Sequence, residues 1–262
     1  MAFKIATWNV NSILARLPTA LEVLKQIDAD VVCLQEIKCE DIKFPRLEIE
    51  ALGYAVETFG QKSYNGVALL SRWRMSDVRR GLPGDDGDDQ ARYLEAVIER
   101  PDGVVRAASL YAPNGNPIDT DKFAYKQRWM ARLAAHAREL LAFEEPLALA
   151  GDYNVIPRDG DADDAPSWAG DALISQEARD GYRTLLHLGL EDAFMQADAR
   201  AGQYTFWDYQ AGAWRRNHGI RIDHIVVSPQ AADALAGVAI HKDARAMDKP
   251  SDHVPVIATF AL

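Results

Sequence analysis

Apolar and polar residues alternate along this chain with two different periods, which predict strands and helices in alternation. Alternation at every second residue over 3–8 predicts a strand, and apolar residues at helical spacing over 16–28 predict a helix. Further strands are predicted over 31–34, 54–59, 67–70, 93–99, 104–111, 147–150, 204–207, 222–227 and 254–260. Further helices are predicted from Pro45 to Gly53, over 121–141 and over 175–188.

The order of these elements favours an α/β fold in four layers. Strands dominate both ends of the chain, which suits two mixed β-sheets packed face to face with helices outside. No glycine-rich phosphate loop follows a predicted strand, so a nucleotide-binding Rossmann arrangement is disfavoured. A chain of 262 residues that is 48% hydrophobic can build one large core, and no Ser- or Pro-rich linker divides it. We therefore predict a single domain over 1–262.

The N-terminal sequence and the cysteines indicate a cytoplasmic protein. No apolar stretch approaches the roughly 20 residues that cross a bilayer, and Lys4 and Thr7 interrupt any signal-like core. We expect no membrane partner. Cys33 lies in an apolar run and is predicted to be buried, whereas Cys39 follows Lys38 and is predicted to be a surface thiol rather than half of a disulfide.

The distribution of charge matters more than its sum. A formal net charge of −10 argues superficially against a nucleic-acid partner, because phosphate contacts normally use Lys and Arg. Basic residues nevertheless cluster in three places, as Arg72, Arg74, Arg79 and Arg80; Lys122, Lys126, Arg128 and Arg132; and Arg215, Arg216 and Arg221. Each cluster is either a phosphate contact or a solvated face. The acidic run 159–164 lacks the bidentate Glu of a calcium loop, which favours a solvated loop.

Polar residues of one chemical type end four of the predicted strands. They stand in the segments Trp8-Asn9-Val10-Asn11, Leu34-Gln35-Glu36, Gly151-Asp152-Tyr153-Asn154 and Pro250-Ser251-Asp252-His253. An adjacent carboxylate and imidazole, as in the last segment, can bind a metal ion and transfer a proton. Four such endings predict one assembled site.

These segments, with others in the same order, carry a resemblance to a known family. The others are Ile37-Lys38, Tyr64-Asn65-Gly66-Val67-Ala68, Gly81-Leu82-Pro83-Gly84-Asp85-Asp86, Tyr111-Ala112-Pro113-Asn114-Gly115, Thr205-Phe206-Trp207-Asp208-Tyr209 and Arg221-Ile222-Asp223. Along almost its whole length the chain resembles the exonuclease III family of DNA-repair phosphodiesterases, also called the apurinic/apyrimidinic endonuclease family.

The resemblance implies the endonuclease/exonuclease/phosphatase fold and a hydrolase that acts in base excision repair. Such an enzyme cuts duplex DNA 5′ to abasic sites, and it also has 3′-to-5′ exonuclease and 3′-end-cleaning activities. The implied cofactor is Mg²⁺, with Mn²⁺ as a substitute, as one or two ions. The implied partner is double-stranded DNA with abasic sites or damaged 3′ ends, bound by a monomer.

Phosphodiester hydrolysis requires an activated water, stabilised phosphoryl oxygens and help for the leaving 3′ oxygen. Hard oxygen ligands suit Mg²⁺, and the candidate ligands are Glu36, Asn9, Asp152, Asn154, Asp252 and His253. The candidate catalytic groups are Tyr111, Asp152, Asn154, Asp223 and His253. Asp152 is either the general base or a ligand of a second ion, and Asn154 either donates its amide to the phosphate or caps a turn. Asp223 is expected to orient the imidazole of His253.

Candidate contacts to DNA combine an aromatic stretch with the basic clusters. The resemblance implies a pocket for a base-free sugar, with Phe206 as its wall, Ile220 opposite and Trp207 beside it. Some relatives have an aromatic residue at the position of Ile220. The candidate phosphate contacts are Arg72, Lys122, Lys126, Arg215 and Arg216. Two alternatives remain open: an enzyme of this fold that acts on RNA or a small phosphoester, and a binding protein that has lost the chemistry.

Overall fold

Two six-stranded sheets form the centre of the computed structural model, which describes residues 2–262. The strands are β1 (Phe3–Asn9), β2 (Val31–Gln35), β3 (Ala55–Phe59), β4 (Val67–Ser71), β5 (Arg74–Arg80), β6 (Tyr93–Arg100), β7 (Gly103–Tyr111), β8 (Leu147–Asp152), β9 (Glu191–Asp192), β10 (Asp223–Val227), β11 (Leu235–Ile240) and β12 (Val256–Phe260). The first sheet has the order β11-β12-β1-β2-β4-β3 and the second the order β5-β6-β7-β8-β10-β9.

Helices pack against both sheets. They are α1 (Leu17–Ile27), α2 (Arg46–Glu50), α3 (Asp121–Leu141), α4 (Gln176–His187), α5 (Ala193–Ala197), α6 (Ala213–Arg216) and α7 (Pro229–Ala232). One apolar cluster joins α1 to the first sheet, a second fills the space between the sheets, and a third joins α3 and α4 to the second sheet. The predicted four-layer sandwich is confirmed. Among residues 2–262, none of the helices is long and apolar enough to cross a membrane.

The strand directions bring the polar strand ends together. β1 and β2 are parallel, with Asn9 opposite Gln35, and β7 and β8 are parallel, with Tyr111 opposite Asp152. Because neighbouring parallel strands end at the same edge of a sheet, each pair delivers two polar groups to one edge. β10 runs antiparallel to β8 and places Asp223 opposite Asp152 at its start.

Two structural predictions from the sequence were wrong. Residues 204–207 do not form a regular strand, because Phe206 makes only isolated bridges to Ile220 and His253. Cys39 is 3% exposed rather than on the surface. The chain after β2 folds back on the loop between β3 and β4, where Lys38 N–H donates to the Asn65 carbonyl at 3.0 Å. Cys39 belongs to the apolar cluster that joins α1 to the first sheet.

Three strands were not predicted, namely β5, β9 and β11. Of these, β5 is a mostly charged edge strand with a bulge between Ser76 and Arg79, so its sequence lacks a clear period. β9 has only two residues. β11 contains a glycine, its sequence shows little alternation of apolar and polar residues, and it forms one edge of the first sheet.

Candidate active site

The side chain of Asn9 joins the two sheets at the edge where the parallel pairs end. Its Nδ2 donates to Glu36 Oε1 at 2.7 Å and to Asp152 Oδ2 at 3.0 Å, while its Oδ1 accepts from the backbone N–H of Asn11. Asn9 is fully buried. The amide therefore faces both carboxylates with its nitrogen and fixes their separation, and its oxygen is engaged elsewhere.

Glu36 follows β2 in the left-handed backbone region, with φ of 48°. A residue other than glycine stays in this region only when the surrounding contacts fix its backbone, and such residues concentrate at functional sites. Lys38 Nζ lies 2.8 Å from Glu36 Oε2. Burial acts to raise the pKa of Glu36, but the Lys38 ammonium and the Asn9 amide outweigh burial and lower it. Glu36 is therefore a carboxylate at neutral pH.

Asp152 ends β8 and is 1% exposed. Its Oδ1 accepts the backbone N–H of Asn154 at 2.9 Å. Burial raises its pKa to about 7; Asp223 and Glu36 act in the same direction, and His253 and Asn9 act against them. A side chain on residue 151 would meet the Leu110 carbonyl at 1.9 Å, which explains the glycine before this carboxylate. A carboxyl group with this pKa can accept a proton near pH 7.

His253 and Asp223 form a buried pair across the two sheets. Asp223 Oδ2 lies 2.9 Å from Nδ1 of His253, and Nε2 of the same ring lies 3.8 Å from Asp152 Oδ2. Burial acts to lower the pKa of His253, but the carboxylates of Asp223, Asp152 and Asp252 outweigh burial and raise it to about 10. The ring is therefore an imidazolium at neutral pH, with an N–H on each nitrogen.

Asn154 and Tyr111 are two more predicted groups that lie at this site. Asn154 Nδ2 donates to the Ala112 carbonyl at 2.9 Å, and its Oδ1 accepts from Asn114 Nδ2 at 3.2 Å. One N–H of the Asn154 amide remains for another acceptor. The pKa of the Tyr111 phenol is raised well above its usual value by burial and by the carboxylates of Glu36 and Asp152, so the phenol is a proton donor.

Acidic and imidazole groups at this site have the spacing of a metal site. Glu36, Asp152 and His253 each offer one ligand atom, and these atoms lie within 4.8 Å of one another. The carboxylate oxygens of Glu36 and Asp152 are the hard donors of this group. Hard oxygen donors of this kind suit Mg²⁺ or Mn²⁺.

The site opens into a pocket of about 250 Å³, and the aromatic wall includes a residue that the sequence did not single out. The pocket is lined by Glu36, Tyr111, Asn114, Asn116, Asp152, Asn154, Trp168, Asp171, Leu173, Phe206, Asp208, Ile222, Asp252 and His253. The Phe206 ring contacts the His253 ring edge-on, with centroids 4.9 Å apart. Trp168 and Phe206 both pack on the apolar cluster that contains Ile220. Trp168 thus supplies an aromatic ring next to the apolar cluster that contains Ile220.

A polar chain links Glu36 to Asp252 around the pocket rim. Lys38 Nζ, which pairs with Glu36, donates to Asn11 Oδ1 at 2.6 Å, and Asn11 Nδ2 donates to Asp252 Oδ1 at 3.0 Å. Asn11 and Lys38 belong to the motifs but were given no role from the sequence. Their chemistry shows only once the loops after β1 and β2 are placed side by side.

Only some of the predicted DNA contacts are exposed near the site. Lys122, Arg215 and Arg216 are exposed, and Arg216 lines a cleft with Phe206 and Trp168. Arg72 lies at the far end of the first sheet beside Asp30, before β2, and pairs with Asp28 at 2.5 Å. The structure therefore does not bring Arg72 to the site.

The structure buries three of the predicted DNA contacts, Lys126, Trp207 and Ile220, which are each 0% exposed. Trp207 packs in the core outside the first sheet, and Ile220 supports Phe206 from behind. Lys126 Nζ donates to three backbone carbonyls. Burial lowers the pKa of Lys126 to about 7, Asp152 and Asp171 act against this, and the three carbonyls favour the protonated amine.

Residues 6–253 match the Endonuclease/Exonuclease/phosphatase family. The chain is 36% identical to exodeoxyribonuclease III of Haemophilus influenzae, over 98% of this chain and 99% of that protein. It is 38% identical to the 3′ phosphatase NExo from Neisseria bound to a product DNA hairpin, with a TM-score of 0.95 over 99% of this chain and 100% of that one. An AP endonuclease from Archaeoglobus fulgidus is 34% identical, with a TM-score of 0.94 over 99% and 100%.

Proposed function

Because this chain belongs to the endonuclease/exonuclease/phosphatase family, we propose that it is a Mg²⁺-dependent DNA-repair hydrolase that incises duplex DNA 5′ to abasic sites. The same phosphoryl centre serves 3′-to-5′ exonuclease and 3′-end-cleaning reactions, which place the enzyme in base excision repair. The observation that carries the proposal is that carboxylate oxygens of Glu36 and Asp152 and a ring nitrogen of His253 lie within 4.8 Å of one another at the shared edge of the two sheets.

Glu36 would hold the cation, with the Asn9 amide fixing its carboxylate. A bound Mg²⁺ supplies positive charge that stabilises the phosphoryl oxygens. The imidazolium of His253 donates an N–H to one phosphoryl oxygen, and the free N–H of Asn154 donates to another. These donors are held before the substrate arrives, because Asp223 fixes the ring and Asn114 fixes the amide.

Proton transfer is assigned to two groups on neighbouring strands. Asp152 accepts a proton from the attacking water, and its pKa of about 7 suits a general base at neutral pH. The Tyr111 phenol donates to the leaving 3′ oxygen. Since Tyr111 and Asp152 stand opposite each other at the ends of β7 and β8, acid and base are set on one rigid edge.

The pocket beside the phosphoryl centre supports selection of an extrahelical sugar. Phe206, Trp168 and Leu173 provide apolar walls against which an extrahelical sugar would lie. Arg215, Arg216 and Lys122 are exposed and available for backbone phosphates. Every group in this scheme comes from one chain, so we propose that the enzyme acts as a monomer.

A panel of three labelled duplexes tests this proposal. One carries a single abasic analogue, one a recessed 3′ hydroxyl end and one a 3′ phosphate, each run with Mg²⁺ and with chelator. We expect Mg²⁺-dependent products from all three. If the enzyme instead cut a single-stranded RNA or a small phosphodiester and none of the duplexes, its substrate would be another class of phosphoester.

A further inference from the structure

The ammonium of Lys126 joins three separate loops beneath the active site. Nζ donates to the carbonyl of Asn114 at 3.0 Å, of Asn154 at 2.6 Å and of Ala172 at 3.1 Å. These carbonyls belong to the loop between β7 and α3, the segment after β8 and the segment before α4. Three donors thus meet three acceptors, which exhausts the donors of a lysine ammonium.

The stem of Lys126 is enclosed as tightly as its end. Lys126 is 0% exposed. Gly115 has φ of 87°, and a side chain there would meet Lys126 Cδ at 2.6 Å, so the loop closes directly on the lysine stem. Buried carbonyls need partners, and those of Asn154 and Ala172 have theirs in this one side chain.

The loops that Lys126 joins carry the polar wall of the pocket. Asn154 and Asn114 line it and bond to each other at 3.2 Å. Asn116 Oδ1 accepts the N–H of Ala172 at 2.9 Å, and Asn116 Nδ2 donates to Asp171 Oδ1 at 3.0 Å, which extends the connection to the third loop. Asn154 itself lies in the left-handed region with φ of 50° and needs external support.

From this geometry we infer that Lys126 is a positioning residue of the proposed phosphodiesterase, which sets the Asn154 amide for the transition state through the Asn154 carbonyl. Without the ammonium, the buried carbonyls of Asn154 and Ala172 lose their partner and the loops separate. Asn154 then moves relative to Asp152, although neither side chain has changed. A shift of this kind lowers the rate of the chemical step more than the affinity for DNA.

The test compares Lys126→Met with Leu133→Ala, at a temperature where each variant is folded. Leu133 is fully buried on the same helix in the apolar cluster behind the second sheet, so its truncation destabilises α3 without removing a hydrogen bond of the three loops. We expect Lys126→Met to lower kcat about 100-fold with KM within about twofold, the size of losing one transition-state donor. Leu133→Ala is expected to keep the kcat of the wild type.

A double-mutant cycle with Asn154→Ala separates positioning from general stability. If Lys126 acts through Asn154, Lys126→Met has little further effect on kcat in the Asn154→Ala background. A kcat for Lys126→Met equal to that of Leu133→Ala, or full additivity with Asn154→Ala, would overturn the inference.

Backbone hydrogen exchange provides a readout that needs no substrate. We expect Lys126→Met to accelerate exchange in 112–116, 153–156 and 170–174 more than Leu133→Ala does. If the wild type cuts no DNA, the proposed function fails, and hydrogen exchange still decides whether Lys126 holds the loops. Unchanged exchange in all three segments would reject the inference by itself.

Discussion

The carboxylate of Asp223 accepts a hydrogen bond from Nδ1 of His253 at a distance of 2.9 Å. Asp223 begins a strand of the second sheet, whereas His253 precedes β12 of the first sheet. The pair therefore ties the sheets together at the site. It also fixes which nitrogen of the ring faces the pocket, since Nδ1 is engaged and Nε2 points toward Asp152.

We predict that Asp223→Asn lowers the pKa of His253 from about 10 toward the ordinary histidine range, because the nearest carboxylate is removed. The raised pKa stabilises the wild type fully below the unfolded pKa of roughly 6.5, and this contribution is lost as pH rises through about 10. The loss of Tm in Asp223→Asn should therefore be greater at pH 6 than at pH 10. An NMR titration of the ring protons measures the pKa directly, and a ring that still titrates near 10 would contradict the account.

Asp152 and Glu36 are predicted to respond differently to substitution. Glu36→Gln should abolish Mg²⁺ binding measured by calorimetry, because it removes the charged ligand. Asp152→Asn should retain most of that binding yet lose at least about 100-fold in kcat, the range of a general base. Loss of Mg²⁺ binding in Asp152→Asn would make Asp152 a ligand instead.

Activity of the wild type is predicted to rise with pH through about 7, because Asp152 must be deprotonated to accept a proton. At saturating Mg²⁺ the bound charge moves this midpoint to lower pH. The measurement is kcat/KM for duplex incision over a series of buffers from pH 5 to 9. A rate that falls with pH over this range would contradict the assignment of the base.

Trp168→Ala and Phe206→Ala are predicted to weaken incision at an abasic analogue by roughly tenfold each, or about 1.4 kcal/mol, through loss of apolar wall area. Hydrolysis of a small aryl phosphodiester should change little, because that substrate needs only the phosphoryl centre. Kinetics with both substrates provide the control in the same protein. Equal losses on both would indicate damage to the centre itself.

Arg216→Ala is predicted to weaken duplex binding and to reduce the slope of log affinity against log salt by about one. Arg72→Ala is the matched control, since Arg72 is an arginine at the far end of the first sheet. Its slope should equal that of the wild type. A reduced slope in Arg72→Ala would show that DNA extends to that end.

Arg221→Met is predicted to reduce the free energy of unfolding by about 3–5 kcal/mol, because it removes the cation between the buried carboxylates Asp161 and Asp192 and leaves Asp192 without a cationic partner. Burial acts to raise the pKa of Asp161, but Arg158 and Arg221 outweigh burial and lower it to about 2. The stabilisation from Asp161 is therefore present above pH ~4 and lost as pH falls toward 2. The free energies of unfolding of the wild type and of Asp161→Asn, measured with urea, should converge near pH 2. A constant difference between these free energies down to that pH would contradict this.

The residues of the centre could be identified from the sequence because each stands beside a recognisable strand. Asn9, Glu36 and Asp152 follow apolar runs directly, and parallel pairing then brings their edges together. The hydrophobic period also predicted the two sheets, since it is a local property of each strand. Those parts of the fold depend on little beyond local pattern.

The burial of the longer polar side chains depends on loops whose sequences have no hydrophobic periodicity. Lys126 occupies a basic cluster in the sequence, and only the closure of three loops over α3 reveals that it faces inward. Trp168 lies in a short 3-10 turn, Ala165–Trp168, amid acidic residues and shows no pattern of a pocket wall. Phe206 is extended but isolated, so its alternation resembled a strand that does not form.

The central claim is tested most directly by incision of a duplex with one stable abasic analogue, run with Mg²⁺, with chelator and with the Asp152→Asn variant. The account predicts Mg²⁺-dependent cutting immediately 5′ to the lesion, abolished by chelator and reduced at least about 100-fold in the variant. No incision by folded wild-type protein with Mg²⁺, or equal cutting by Asp152→Asn, would contradict it.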